Sequence, residues 1–137
     1  MTRAIVVDDY EKWRRFIAST VRTCSDLQII AEAEDGPEAL LKTLELQPDL
    51  ILLDIGLPTL NGIEVARRIR SVSPMSKILF VSETSSLEIA EAALRVGDGF
   101  VIKSEAARDL VSAVKSVLEG KRFVSPRMTS LQLIDRR

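Results

Sequence analysis

The stretch DLILLDIGLPTLNGIEVARRIR, residues 49–70, passes in one line from four consecutive apolar residues (Leu50 to Leu53) through an acid, Asp54, to a loop with glycine and proline (Gly56 to Gly62) and then a helix-period run starting near Ile63. A strand with one wet face alternates apolar and polar residues, whereas a strand covered on both faces reads as an unbroken apolar run. LILL is the second kind. AIVV (4–7) and ILFV (78–81) match it, so these three segments belong in the centre of one sheet.

Outward from this core, short apolar runs alternate with helix-period segments five times, the pattern of a parallel sheet with helices on both faces. Strands are expected near 4–8, 28–33, 50–54, 78–82 and 99–102. Trp13, Phe16, Ile17, Val21 and Cys24 recur at three- and four-residue spacings, as do Ala107, Leu110, Val111, Val114 and Leu118, which predicts amphipathic helices packed against the sheet. Gly36-Pro37 opens the second helix, Ser85 with Glu88 forms a capping box for the fourth, Gly120 closes the fifth, and Pro48 and Pro74 stop the second and third. Five strands and five helices joined by right-handed crossovers can wind into a doubly wound, flavodoxin-like α/β fold of strand order 2-1-3-4-5, with ligands at the switch beside strand 1.

Asp8 and Asp9 follow AIVV, Asp54 follows LILL and Lys103 follows FVI. In a parallel sheet these strand ends share one edge, so three carboxylates and one cation converge there, a set suited to a divalent metal and a phosphoryl group. The chain contains no histidine, which removes most zinc sites, serine-histidine triads and histidine bases and leaves oxygen as the metal donor. With 137 residues, 46% of them apolar, the composition fits one small domain, and 19 basic against 20 acidic residues give no global bias toward nucleic acid or an anionic membrane. The lone Cys24 is expected to be a buried, inert thiol on the first helix. No apolar run approaches about 20 residues, and Ala4 to Val7 is too short for a signal peptide, so a cytoplasmic location without membrane partners is expected.

The pair VVDD at Asp8 and Asp9, the LLDIGLPTLNGIEVARRIR block around Asp54, Ser82 after ILFV, and GDGFVIK ending at Lys103 resemble the receiver domain of bacterial two-component response regulators over about Arg3 to Gly120. The Asp54 block and the GKRFVS after the last helix are most similar to the NarL-type (LuxR-class) branch, whose members usually add a helix-turn-helix domain. The resemblance implies a receiver over 1–120 and, over 121–137, a C-terminal tail or the start of a linker to an effector domain through which alone DNA would be met. It implies Asp54 as phosphoacceptor from a sensor histidine kinase, and Mg²⁺ held by Asp9, Asp54 and the Gly56 main-chain carbonyl, with Asp8 acting through water. Lys103 would reach the Asp54 carboxylate and then a phosphoryl oxygen. Ser82 would hydrogen-bond the new phosphoryl group, and Phe100 would be the aromatic switch that turns inward as the loop after strand 4 moves. Homodimerisation is a possible readout, and the only chemistry expected is self-phosphorylation and self-dephosphorylation.

Several residues carry further expectations. Ser104 is the expected N-cap after Lys103. Glu83 stands where many receivers carry a small residue, and its carboxylate would repel hydroxide or a small anionic phosphodonor and slow loss of the phosphoryl group. Trp13 is expected to fill core space between helix 1 and the sheet, with Lys12, Arg14 and Arg15 on the rim, where they could meet acids on a partner. In the loop after Asp54, proline is expected to restrict the backbone and glycines to permit the tight turn. The tail beyond Pro126 reads as a short helix, a linker or a disordered end. Other function classes fit less well: a flavin mononucleotide carrier needs a Thr/Ser/Gly-rich loop where Asp8-Asp9-Tyr10-Glu11 stands, and an aspartyl phosphohydrolase needs a DxD arrangement after strand 1 that is absent. A partner-binding module with little phosphorylation shares the fold but makes no use of the acids and lysine.

Overall fold

The structure is a computed structural model and describes residues 1–131. Six parallel strands, β1 (Thr2–Val7), β2 (Leu27–Ala33), β3 (Leu50–Leu53), β4 (Lys77–Ser82), β5 (Gly99–Ile102) and β6 (Phe123–Val124), form one sheet of order β2-β1-β3-β4-β5-β6. Between them run helices α1 (Glu11–Val21), α2 (Gly36–Leu46), α3 (Gly62–Val72), α4 (Leu87–Val96) and α5 (Ala106–Leu118), and α6 (Pro126–Leu131) follows β6.

The unbroken apolar runs sit where their pattern demands. Leu50 to Leu53 are fully buried and split by parity: Ile51 and Leu53 join Ile5, Val7, Ile78 and Phe80 under α2, α3 and α4, while Leu50 and Leu52 join Ala4, Val6, Leu79 and Val81 under α1 and α5. Two cores on opposite faces explain why these strands cannot alternate with polar residues. Edge strand β2 differs, with Gln28 and Glu32 exposed along it.

The expected order 2-1-3-4-5 is therefore extended to six strands and six helices. Phe123 and Val124 pair with Gly99 and Phe100, and Ser125 N–H donates to the Phe100 carbonyl (2.9 Å), so a segment expected as tail or linker completes the sheet. Pro126 begins a short helix, one of the forms expected of the tail, and Met128 is buried with Phe100 and Ala93. Residues 132–137, the remainder of that expected tail, lie outside the described residues.

Three local expectations are corrected. Ser86, not Ser85, caps α4, its hydroxyl accepting from Ile89 N–H at 3.4 Å. Ser104 caps nothing: Lys103–Glu105 form a 3-10 turn and α5 starts at Ala106 without a side-chain cap. Cys24 falls beyond the end of α1 and is only half-buried, flanking the core.

Candidate functional site

Backbone ladders carry the three acids to one rim. Asp8 N–H donates to Ala33 O (3.0 Å) and Asp54 N–H to Val7 O (3.0 Å), each bond extending a strand pairing by one residue before the chain turns away. Asp8, Asp9 and Asp54 each offer a carboxylate oxygen within 4.8 Å of the others. Lys103 comes from the end of β5, with Nζ at 2.7 Å from Asp8 Oδ2, 3.6 Å from Asp54 Oδ1 and 3.9 Å from Glu83 Oε1. The four residues read from the strand ends are thus side by side, but the ammonium sits closer to Asp8 than to Asp54.

Burial makes this arrangement costly. Asp8 and Asp54 are 0% and 6% exposed, and like charges a few ångströms apart repel by about 1 kcal/mol in water and about 4 at an effective dielectric of 20. The Asp54 carboxyl is accordingly pushed up to about 6, first by burial and then by the Asp8 charge, with Asp9 adding to the rise; Lys103 and the Gly56 backbone N–H act against it. Asp8 Oδ1 accepts from Tyr10 N–H (2.9 Å), whereas buried Oδ2 faces Lys103 without a well-aligned hydrogen bond.

A cleft of about 410 Å³ opens this rim to solvent, lined by Asp9, Asp54, Gly56, Ser82, Glu83 and Ile89 among others. Ser82 is buried on its wall, and its Oγ accepts from Thr84 N–H at 3.2 Å, which leaves the hydroxyl hydrogen to be donated elsewhere. Glu83 projects to solvent at the mouth, its side chain 79% exposed. Phe100 lies away from the cleft, fully buried opposite Phe80 in the register of β4 and β5. The loop from Gly56 to Asn61 takes its positive φ at Thr59 (70°), not at a glycine. Gly62 serves packing instead, because a Cβ there would lie 2.1 Å from the Asp54 carbonyl oxygen.

Two neighbours were not expected in these roles. Arg14 is buried rather than on the rim: Nη1 donates to Asp8 O (2.8 Å), Nε to Glu32 Oε1 (2.9 Å), and Nη2 lies 3.6 Å from Glu34, so it fixes the turn that presents Asp8 and Asp9. The buried face of α1 runs through Arg14, Ile17, Ala18 and Val21, and a cation at a three- and four-residue interval from apolar positions is the sequence signal for it. Trp13 is half-buried and flanks that face, with Lys103 Nζ 5.0 Å from its ring centroid. Lys12 and Arg15 remain exposed, Arg15 pairing with Glu11.

Comparison with known proteins agrees with this geometry. Residues 4–115 match the response regulator receiver domain family. Over 134 residues the chain is 35% identical to the transcriptional regulatory protein LnrK of Bacillus subtilis, covering 97% of this chain and 61% of that protein, so the chain spans about three fifths of the relative's length. A crystal structure of a LuxR-family two-component response regulator from Aurantimonas superposes with a TM-score of 0.93 at 29% identity, covering 99% of this chain and 98% of the other. The receiver domain of the putative response regulator NarL from Mycobacterium tuberculosis gives 0.81 at 29% identity, covering 88% and 98%. A match that begins in β1 and ends within α5 takes in every strand end that supplies the rim, and the chain belongs to the response regulator receiver domain family, with LuxR- and NarL-type relatives.

Proposed function

We propose that Asp54 accepts a phosphoryl group from a phosphohistidine of a sensor histidine kinase. The observation that carries this is the convergence of Asp8, Asp9 and Asp54 beside Lys103 in a cleft open to a donor. A carboxyl pushed up to about 6 is still largely ionised at neutral pH, and a less solvated carboxylate is a better-placed nucleophile than one wrapped in water. An Asp54 oxygen attacks phosphorus, the bond from phosphorus to the donor nitrogen breaks with its electron pair leaving on the imidazole, and an acyl phosphate results. Positioning and charge neutralisation dominate such transfers, so the absence of histidine from the chain is no obstacle.

The donor set fits Mg²⁺: hard oxygens, two of the three acids buried, and one buried carboxylate oxygen without a well-aligned partner. Asp9, Asp54 and the Gly56 carbonyl would hold the ion, with Asp8 acting through water, and when bound it supplies positive charge to the carboxylates and to phosphoryl oxygens. Lys103, 3.6 Å from Asp54 Oδ1, adds a second positive charge. Ser82 donates its hydroxyl to a phosphoryl oxygen that exists only after transfer, and this differential contact draws the loop from Glu83 to Ser86 toward Asp54 and repacks the core around Phe100.

On this reading the phosphoacceptor unit takes in β6 and buried Met128 together with residues 1–120, and DNA would be met only through an effector domain. The chain acts in the cytoplasm, where switching could favour a homodimer. Among the described residues no helix is long and apolar enough to cross a membrane. The test is to treat the protein with acetyl phosphate and Mg²⁺ and follow its mass: one phosphoryl group should be gained by the wild type and none by Asp54→Asn.

A further inference from the structure

Lys103 is 5% exposed, so its ammonium has given up most of its water. Its anionic neighbours do not surround it evenly: Asp8 at 2.7 Å, Asp54 at 3.6 Å and exposed Glu83 at 3.9 Å. The Trp13 ring is a further neighbour, with its centroid 5.0 Å from Nζ. That distance is within cation–π range, and such a contact is stronger for a desolvated cation than for a wet one. Trp13 is itself held in orientation by Phe16, whose ring meets it edge-on at 87° with centroids 5.3 Å apart.

We propose that Trp13 is a positioning residue for Lys103: its ring takes the place of lost hydration and keeps the ammonium within reach of Asp54 instead of letting it settle wholly on Asp8. This rests on the reading of Asp54 as phosphoacceptor. Four rotatable bonds allow a lysine stem to follow its strongest partner, and Asp8 is the nearest. A polarised ring beside the ammonium lowers the cost of a position 3.6 Å from Asp54 Oδ1, from which the charge is ready to meet an incoming phosphoryl oxygen. A purely structural Trp13 would fill space beside Phe16 and be indifferent to which side chain stands at position 103.

Trp13 is the chain's single tryptophan, so its emission reports this contact directly. Two measurements test the proposal. Without any phosphodonor, Lys103→Met should shift Trp13 emission and the indole N–H resonance. With acetyl phosphate and Mg²⁺, Trp13→Leu should slow phosphoryl uptake about five- to thirtyfold, the span between an exposed and a desolvated cation–π contact. Trp13→Phe should restore most of the rate, and Trp13→Leu placed on Lys103→Met should slow it no further. Unchanged emission in Lys103→Met, or equal slowing by Trp13→Leu with and without the lysine, overturns the positioning role while leaving Asp54 as acceptor. Wild-type protein that gains no phosphoryl group overturns both.

Discussion

At the amino-terminal end of β4, Arg70 Nη2 and Asp98 Oδ2 meet at 2.8 Å; the guanidinium also donates to the carbonyls of Ser76 and Val96, and Asp98 also accepts from Ile78 N–H, each at 2.8 Å. At the carboxy-terminal end of β1 and β3, three acids crowd together, two of them against one ammonium, and a buried Asp8 oxygen has no well-aligned hydrogen bond. The first end matches one charge to one countercharge and finds backbone partners for what is left. The second keeps negative charge in excess, which lowers stability by itself and leaves capacity for a cation and a phosphoryl group. Charge at one end of this sheet holds α3 to the strands, and charge at the other is held ready for ligands.

The sharpest way to break the comparison is to test whether the rim is loose because it is strained. Its backbone is not: α3 starts against the Asp54 carbonyl, and the Cβ of Gly62→Ala would lie 2.1 Å from that oxygen. Backbone cannot yield as a side chain does, so urea melts should show a loss of about 3 kcal/mol or more. A loss below about 1 kcal/mol would mean that the loop from Gly56 to Asn61 gives way and the rim is soft.

Next in size is the pH dependence that the excess charge imposes. The Asp54 carboxyl lies at about 6 in the folded chain against an ordinary 3.8. The folded state therefore binds the proton more tightly than the unfolded state, and this contribution to stability is fully present below pH 3.8 and lost as pH rises through 6. A shift of this size corresponds to about 3 kcal/mol. In metal-free protein, Asp54→Asn should be progressively stabilised relative to wild type across that interval and then hold a constant advantage, while Mg²⁺ should narrow it. Parallel stability profiles for the two proteins would mean that the rim carries no stored repulsion at Asp54.

The opposite end should behave in the opposite sense. Asp98→Ala removes the countercharge of Arg70 and the acceptor of Ile78 N–H, at a cost of about 2 kcal/mol, because both groups are partly buried. Phosphoryl uptake should be unaltered wherever the variant is folded. A variant that melts normally but fails to take up phosphate would show that the two ends communicate.

The same contrast explains which features are legible in the sequence. Central strands announce themselves through LILL, AIVV and ILFV, and the site is legible because an acid or lysine directly after such a run must emerge at its end. β6 was not legible: two residues, Phe123 and Val124, have no period, and only the open edge of β5 makes them a strand. The stripe expected on α1, Trp13, Phe16, Ile17, Val21 and Cys24, shares Ile17 and Val21 with the buried line, which otherwise runs through Arg14 and Ala18, because an arginine satisfied by Asp8 O and Glu32 can stand in an apolar row. Capping at Ser86 instead of Ser85, and the 3-10 turn in place of a Ser104 cap, are decided by backbone angles that adjacent serines do not encode.

Glu83 gives the smallest effect and the finest division between the two kinds of end. Its carboxylate lines the cleft and lies 3.9 Å from Lys103 Nζ, so removing its charge has two opposed consequences. An anion at the mouth repels hydroxide and small anionic phosphodonors, and without it both enter more readily. It also draws on the lysine's charge, which a phosphoryl group would then have more fully. The first effect should prevail, because Asp8 at 2.7 Å and Asp54 at 3.6 Å already share the Lys103 charge and Glu83 is largely in solvent. One exposed charge a few ångströms from another is worth about 1 kcal/mol or less in water. Glu83→Gln should therefore shorten the lifetime of the acyl phosphate and speed uptake from acetyl phosphate by no more than about fivefold. At high salt that difference should shrink toward nothing. A lifetime that lengthens instead would mean that Glu83 acts through the lysine, as a paired group would, and the division between the two ends would then fail at its own entrance.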